Sequence, residues 1–111
     1  MATGKDLRRI TLSLPGTIEA PHFDRAAFKV ARIYATLPPD GLTANLKFAP
    51  ADQALKCLTA PEAFAPVQGG WGRMGFTTVT LNAVTVPELE AALRLAHAHA
   101  LAKKPPRRPA R

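Results

Sequence analysis

The sequence has little sulfur and no long apolar run. Its only cysteine is Cys57, so no disulfide can form within the chain, which is typical of a protein from a reducing compartment. No apolar stretch approaches the roughly 18–20 residues that cross a bilayer. The first ten residues are charged, unlike the apolar stretch of a signal peptide. We therefore expect a cytoplasmic protein without membrane contact.

Residues in the settings that catalysis requires are also scarce. Ser13 is the only serine, and it lacks the Gly-x-Ser-x-Gly setting of a nucleophile elbow. The glycine-rich segment 69–73 lacks the Gly-Lys-Ser/Thr ending of a phosphate-binding loop. Glu19 and Asp24 form no evident acid–base pair, and no base lies near Cys57 in the sequence. We expect neither enzymatic activity nor a cofactor.

Histidine offers only a weak basis for a metal site. The best local candidates are His97 and His99, on one predicted helix. Two positions along a helix correspond to about 200° of rotation, so the two rings point to nearly opposite sides. His22 lies in a different segment. The pattern favours two histidines at the boundary of the core, and no metal is expected.

Positive charge is in excess but is unevenly distributed. The formal net charge is +7, yet five of the 15 basic residues lie in the last nine positions: Lys103, Lys104, Arg107, Arg108 and Arg111. Without these five, ten basic side chains stand against eight acidic ones in residues 1–102. The segment 103–111 also contains three prolines, which predicts a disordered tail making nonspecific phosphate contacts.

Residues 1–102 have the length and apolar content of one domain. Helical spacing predicts helices over about 5–13, 50–60 and 86–102, with capping boxes at Thr3 and Thr85 before the first and third. Strand-forming residues predict strands over about 18–23, 27–30, 32–37, 42–48 and 74–81. The segment 61–70 is predicted to be irregular.

The order of these elements is helix, three or four strands, helix, one or two strands, helix. It predicts a two-layer α+β fold in which three helices pack on one antiparallel sheet. The helical periodicity predicts a set of buried side chains: Leu7, Ile10, Leu55, Leu89 and Leu93.

The least ordinary segment surrounds the only tryptophan. Gly69, Gly70 and Gly72 flank Trp71, and Arg73 follows. Two interpretations remain open. Trp71 closes the edge of the core while Arg73 stacks on it or pairs with a carboxylate, or both side chains contact a ligand such as a phosphate or a base.

Several short motifs, in this order along residues 7–100, resemble the MmcQ/YjbR family. They are Leu14-Pro15-Gly16-x-x-Glu19, Phe28-Lys29-Val30, Ile33-Tyr34-Ala35, Asn45-Leu46-Lys47, Gly70-Trp71-Gly72-Arg73-x-Gly75-Phe76 and Thr78-Val79-Thr80-Leu81. The resemblance implies a compact α+β fold with an antiparallel sheet, and it implies DNA binding. The basic and aromatic motif residues of the family fall on Lys29, Lys47, Trp71, Arg73 and Phe76, which gives a predicted site on one sheet face and a neighbouring loop.

We therefore predict a monomeric binding module for nucleic acid, with DNA as the expected partner and weak, salt-dependent binding. The alternative is a module for small molecules, anions or proteins that uses the 71–73 loop as its pocket. The nearly neutral body favours the alternative, whereas the basic tail favours nucleic acid.

Overall fold

A computed structural model of the chain describes residues 1–102. The predicted tail, 103–111, lies outside the described residues. Ten helices and strands of the described part follow the order α1 (Gly4–Ser13), β1 (Ile18–His22), β2 (Arg25–Lys29), β3 (Ile33–Leu37), β4 (Thr43–Lys47), α2 (Pro50–Thr59), β5 (Phe64–Pro66), α3 (Gly70–Arg73), β6 (Phe76–Thr80) and α4 (Val86–Leu101). None of these helices is long and apolar enough to cross a bilayer.

The six strands form one antiparallel sheet in the order β1-β2-β3-β4-β6-β5. The predicted two-layer α+β architecture is therefore confirmed. The segment 61–70 is more regular than predicted, because β5 pairs with β6 there and α3 begins at Gly70. Both elements are too short to leave a periodic pattern in the sequence. With α3, the described part contains four α-helices rather than the predicted three.

Both predicted capping boxes are present. The hydroxyl of Thr3 accepts a hydrogen bond from the Asp6 amide, and the Thr3 amide donates to the Asp6 carboxylate at 2.9 Å. Thr85 and Glu88 repeat the arrangement at the start of α4. These hydrogen bonds to the charged form lower the pKa of both carboxyl groups. They fix where α1 and α4 begin.

The core lies between the sheet and the helices α1 and α4. Leu7 and Ile10 of α1 and Leu89 and Leu93 of α4 are buried, as predicted. The prediction for Leu55 is wrong, because its side chain is 57% exposed. On α2 it is Cys57, together with Ala60 just after the helix, that packs against the core. The spacing of apolar residues in α2 allows either Leu55 or Cys57 to face the core, and the docking of the helix determines which of them does.

Candidate functional site

The helices α1 and α4 cover one face of the sheet, and we call the other face the outer face. Thr36, Asn45 and Thr78 form a cross-strand row on this outer face, in neighbouring strands. The Thr78 hydroxyl donates to Asn45 Oδ1 at 2.9 Å. Arg25 Nε donates to the Thr36 hydroxyl at 3.0 Å, which holds a guanidinium against the same face. The outer face is therefore polar at its centre and carries a positive charge.

A cleft of about 290 Å³ lies on this outer face, and we call it the sheet cleft. Its floor is the sheet itself, and its two sides are the β1–β2 hairpin and the segment 67–75, here called the tryptophan loop. The lining residues are His22, Phe23, Arg25, Ile33, Thr36, Asn45, Val67, Trp71 and Phe76. No carboxylate is among them, so the charge of the lining is positive.

The tryptophan loop is held in place by the residues around it. Gln53 of α2 donates through Nε2 to the carbonyl groups of Gly72, at 2.9 Å, and Phe76, at 3.2 Å. Gly72 lies so close to Val67 that a Cβ atom there would collide with the Val67 carbonyl oxygen. These contacts fix the position of Trp71 relative to the sheet.

Phe76 contacts two other predicted site residues, Lys47 and Trp71. Lys47 and Phe76 are paired across β4 and β6, and Lys47 Nζ lies 5.6 Å from the centroid of the Phe76 ring. The Trp71 ring meets Phe76 nearly at a right angle, with 5.5 Å between centroids. Trp71 is 61% exposed, so it does not close the core. This arrangement favours the interpretation in which Trp71 contacts a ligand.

Arg73 and Lys29 are not part of this contact. Arg73 ends the short helix that carries Trp71, and it makes no ion pair with any of the described residues. Lys29 pairs with Ile33, which lines the sheet cleft. β2 and β4 end, and β3 and β6 begin, at the same end of the sheet. Lys29, Lys47 and Arg73 therefore share one end of the sheet, which we call its basic end.

The sequence interpretation missed Phe23, His22 and Arg25 in the β1–β2 hairpin. Phe23 and Asp24 form a two-residue turn between paired His22 and Arg25. A turn of this length usually carries Asn-Gly or Asp-Gly, so an aromatic residue in it is the signal that could have marked the site.

The described part of the chain ends beside the basic end. Arg32 donates through Nη2 to the carbonyl oxygens of His99, at 3.1 Å, and Ala102, at 3.3 Å. Its guanidinium thus binds the last carbonyl groups of α4, where the helix dipole is negative. Because Arg32 lies in the β2–β3 turn, the last described residue, Ala102, lies at the end of the sheet that carries Lys29.

A larger open groove of about 1180 Å³ lies between the start of α1, the β1–β2 hairpin and the β3–β4 turn. Its charges are mixed. Arg8 and Glu19 form an ion pair across it at 2.9 Å, and Asp24 and Asp40 also line it. The groove presents no surface of one charge, so the smaller sheet cleft is the better candidate site.

The residues considered for metal and nucleophile chemistry are dispersed. In residues 1–102 no three His, Cys, Asp or Glu side chains lie close enough to hold a metal ion. Of the two histidines predicted at the core boundary, His99 is partly buried as predicted, whereas His97 is buried, with 8% of the residue exposed. Its Nε2 lies 2.8 Å from the Pro15 carbonyl oxygen, and the ring packs edge-on against Tyr34. That carbonyl satisfies the ring nitrogen and permits its burial.

Cys57 is partly buried, and burial raises the pKa of its thiol. The thiolate fraction at neutral pH is then below that of a free cysteine, the reverse of the shift that activates a nucleophile. We expect iodoacetamide to alkylate Cys57 several-fold more slowly in the folded protein than in urea at pH 8. Equal rates in the two states would contradict the assigned burial.

No protein-family model matches the sequence, and no curated protein matches it. A solved structure does: the crystal structure of Deinococcus radiodurans protein DR2400, which contains a DUF419 domain. The two share 30% sequence identity and a TM-score of 0.70, over 85% of this chain and 75% of the other. At this identity and coverage, the chain belongs to the DUF419 family, which is the MmcQ/YjbR-like family.

Proposed function

We propose that this chain is a non-enzymatic, cytoplasmic binding module for nucleic acid, with DNA as the expected partner. The observation that carries the proposal is the sheet cleft, which combines exposed aromatic rings with a guanidinium and is lined by no carboxylate. Aromatic faces and arginine or lysine side chains are the groups that bind bases and phosphates.

The distribution of charge supports the same proposal. Arg8, Arg9 and Arg94 form ion pairs with carboxylates on the helices or on β1. In contrast, Arg25 and Arg73 have no carboxylate within ion-pair distance in the described part of the chain. Three arginines outside the outer face are thus paired with carboxylates, whereas Arg25 on the outer face and Arg73 in the tryptophan loop keep their positive charge unpaired by carboxylates of the described residues.

The basic end gives the tail a role in this proposal. Ala102 lies at the end of the sheet that carries Lys29 and Lys47, and five basic residues follow it in the sequence. The tail then supplies phosphate attraction that does not depend on sequence, and the outer face supplies the fixed contacts.

Substitution of Arg73 tests the role of the body. We expect Arg73→Ala in the full chain to weaken DNA binding by about 1–3 kcal/mol, because a guanidinium can hold a phosphate or base edge with two hydrogen bonds. Lys47→Ala removes a point charge and is expected to weaken binding less. Fluorescence anisotropy of a labelled oligonucleotide measures both effects, and thermal unfolding checks that the variants are folded.

Arg94→Ala is the matched control. It removes the same charge from α4, where the guanidinium pairs with Glu90 at 2.8 Å. We expect a change of less than about twofold, because salt screens charges distant from the contact surface. Equal losses for Arg73→Ala and Arg94→Ala would mean that only net charge matters, and the outer face would then not be the binding surface.

A second candidate function is the binding of a small anionic ring compound. The size of the sheet cleft favours it, since about 290 Å³ is close to the lower limit of roughly 300 Å³ for ligand pockets. A mononucleotide that binds as tightly as an oligonucleotide would favour this function. Much tighter binding of the oligonucleotide would favour nucleic acid.

A further inference from the structure

The aromatic side chain of Phe23 contributes little to the stability of the fold. It is 92% exposed, and its backbone adopts a positive φ of 59°. That conformation favours glycine or asparagine, and a bulky residue in it is strained by roughly 1–3 kcal/mol. Its ring packs edge-on against the His22 ring, with 4.8 Å between the two centroids. Stability does not explain this side chain, so a ligand is the better explanation.

Trp71 lies on the opposite side of the sheet cleft from Phe23. It is also more than half exposed, and Gln53 and the close approach of Gly72 to Val67 fix the loop that carries it. The cleft therefore has one exposed aromatic ring on each side, with the apolar side chain of Ile33 on the floor between them. A flat aromatic ligand fits this combination of surfaces.

Polar groups in the cleft suit a base and its phosphates. Asn45 uses Oδ1 to accept from Thr78, and its amide nitrogen makes no hydrogen bond to the described residues, so it can donate to a base edge. Arg25, which donates to Thr36, lines the cleft together with Phe23, and Arg73 follows Trp71 by two residues in α3. Each aromatic side thus has a guanidinium close by in the chain.

We infer that the sheet cleft binds an unpaired base of single-stranded nucleic acid, stacked on Phe23 and Trp71, with Arg25 and Arg73 contacting the flanking phosphates. This inference rests on the proposed function and narrows it. The bases of a duplex present only their edges in the grooves, whereas stacking on a side chain requires an exposed base face. A cleft of about 290 Å³ has room for one nucleoside but not for a duplex.

Intrinsic fluorescence provides a direct test because Trp71 is the only tryptophan. Oligo-dT and oligo-U are titrated into the full chain at low salt, alongside a DNA duplex of equal length. We expect the single strands to quench the fluorescence and to bind more tightly than the duplex. Equal affinity for single strands and duplex, without a change in fluorescence, would overturn the stacking inference.

Phe23→Asn separates binding from stability. Asparagine tolerates the left-handed backbone, so we expect a melting temperature equal to or above that of the unsubstituted chain. We expect single-strand affinity to fall about fivefold or more, since base stacking on an aromatic residue is worth about 1–3 kcal/mol. Duplex affinity should stay the same. Leu58→Asn, at a 78% exposed position on α2, is the control and should leave every affinity unchanged.

The outcomes separate the two proposals. Unchanged single-strand affinity in Phe23→Asn would overturn the stacking inference, and continued binding of duplex would leave the proposed function intact. No binding of any oligonucleotide by the full chain at low salt would overturn both. An equal loss of single-strand and duplex affinity in Phe23→Asn would show that Phe23 contacts both kinds of nucleic acid without stacking on a base. This result would also overturn the inference.

Discussion

Deletion of residues 103–111 is expected to flatten the salt dependence of duplex DNA binding by up to roughly four or five units in a log–log plot. Each neutralised phosphate releases counterions and contributes about −0.9 to the slope. The deleted segment carries five basic residues, so the full effect requires all five to contact phosphate. The observed association constant is measured by anisotropy over a series of salt concentrations.

A chain in which those five residues are replaced by glutamine is the matched control, because it keeps the length and prolines of the tail. It should reproduce the flattened slope. Both variants should melt within about a degree or two of the full chain, because the sequence predicts a disordered tail and a disordered tail adds no packing. An unchanged slope would show that the tail does not contact phosphate, and a marked fall in melting temperature would show that it packs on the body.

The same truncated chain decides between the two candidate functions. If it binds neither DNA nor RNA at low salt, the folded domain has no nucleic-acid function, and the tail is a nonspecific polycation. The small-ligand function would then take first place. Residual binding that is weakened by Arg73→Ala would instead assign the contact to the outer face.

Gly75→Ala is expected to destabilise the fold by about 3 kcal/mol or more. Gly75 has a φ of +104°, a backbone conformation that costs a residue with a Cβ roughly 1–2 kcal/mol. A Cβ there would also collide with the carbonyl oxygen of Phe48, whose amide donates to the Gly75 carbonyl at 3.0 Å. Relieving such an overlap typically costs about 1–3 kcal/mol more. Chemical denaturation measures the change in unfolding free energy.

Gly41→Ala is the matched control, because it carries the backbone penalty of a positive φ without a collision. Gly41 also has a positive φ, of 66°, but a Cβ there would meet no described atom within 4 Å. We expect its free energy of unfolding to fall only by the cost of the backbone conformation, roughly 1–2 kcal/mol. Equal losses for the two alanine variants would show that the junction between the tryptophan loop and β6 yields to the added atom.

Local patterns in the sequence predicted much of this fold. The two capping boxes and the apolar stripes of α1 and α4 depend on interactions within a few residues, so Leu7, Ile10, Leu89 and Leu93 could be assigned to the core. The antiparallel meander followed from turn residues between strand-forming segments. The resemblance to the MmcQ/YjbR family agrees with the likeness to the DUF419 structure.

Where the sequence pattern allowed more than one arrangement, only the tertiary structure decided which side chains are buried and which line the cleft. α2 could bury Leu55 or Cys57, and its docking beside β5 selected Cys57 because a helix position has no fixed inward side until the helix packs. His97 became internal because the Pro15 carbonyl, 82 residues away in the chain, satisfies its ring nitrogen. The candidate site has the same origin: Phe23 and Trp71 line one cleft through strand order and sheet packing, which link distant segments that no local pattern relates.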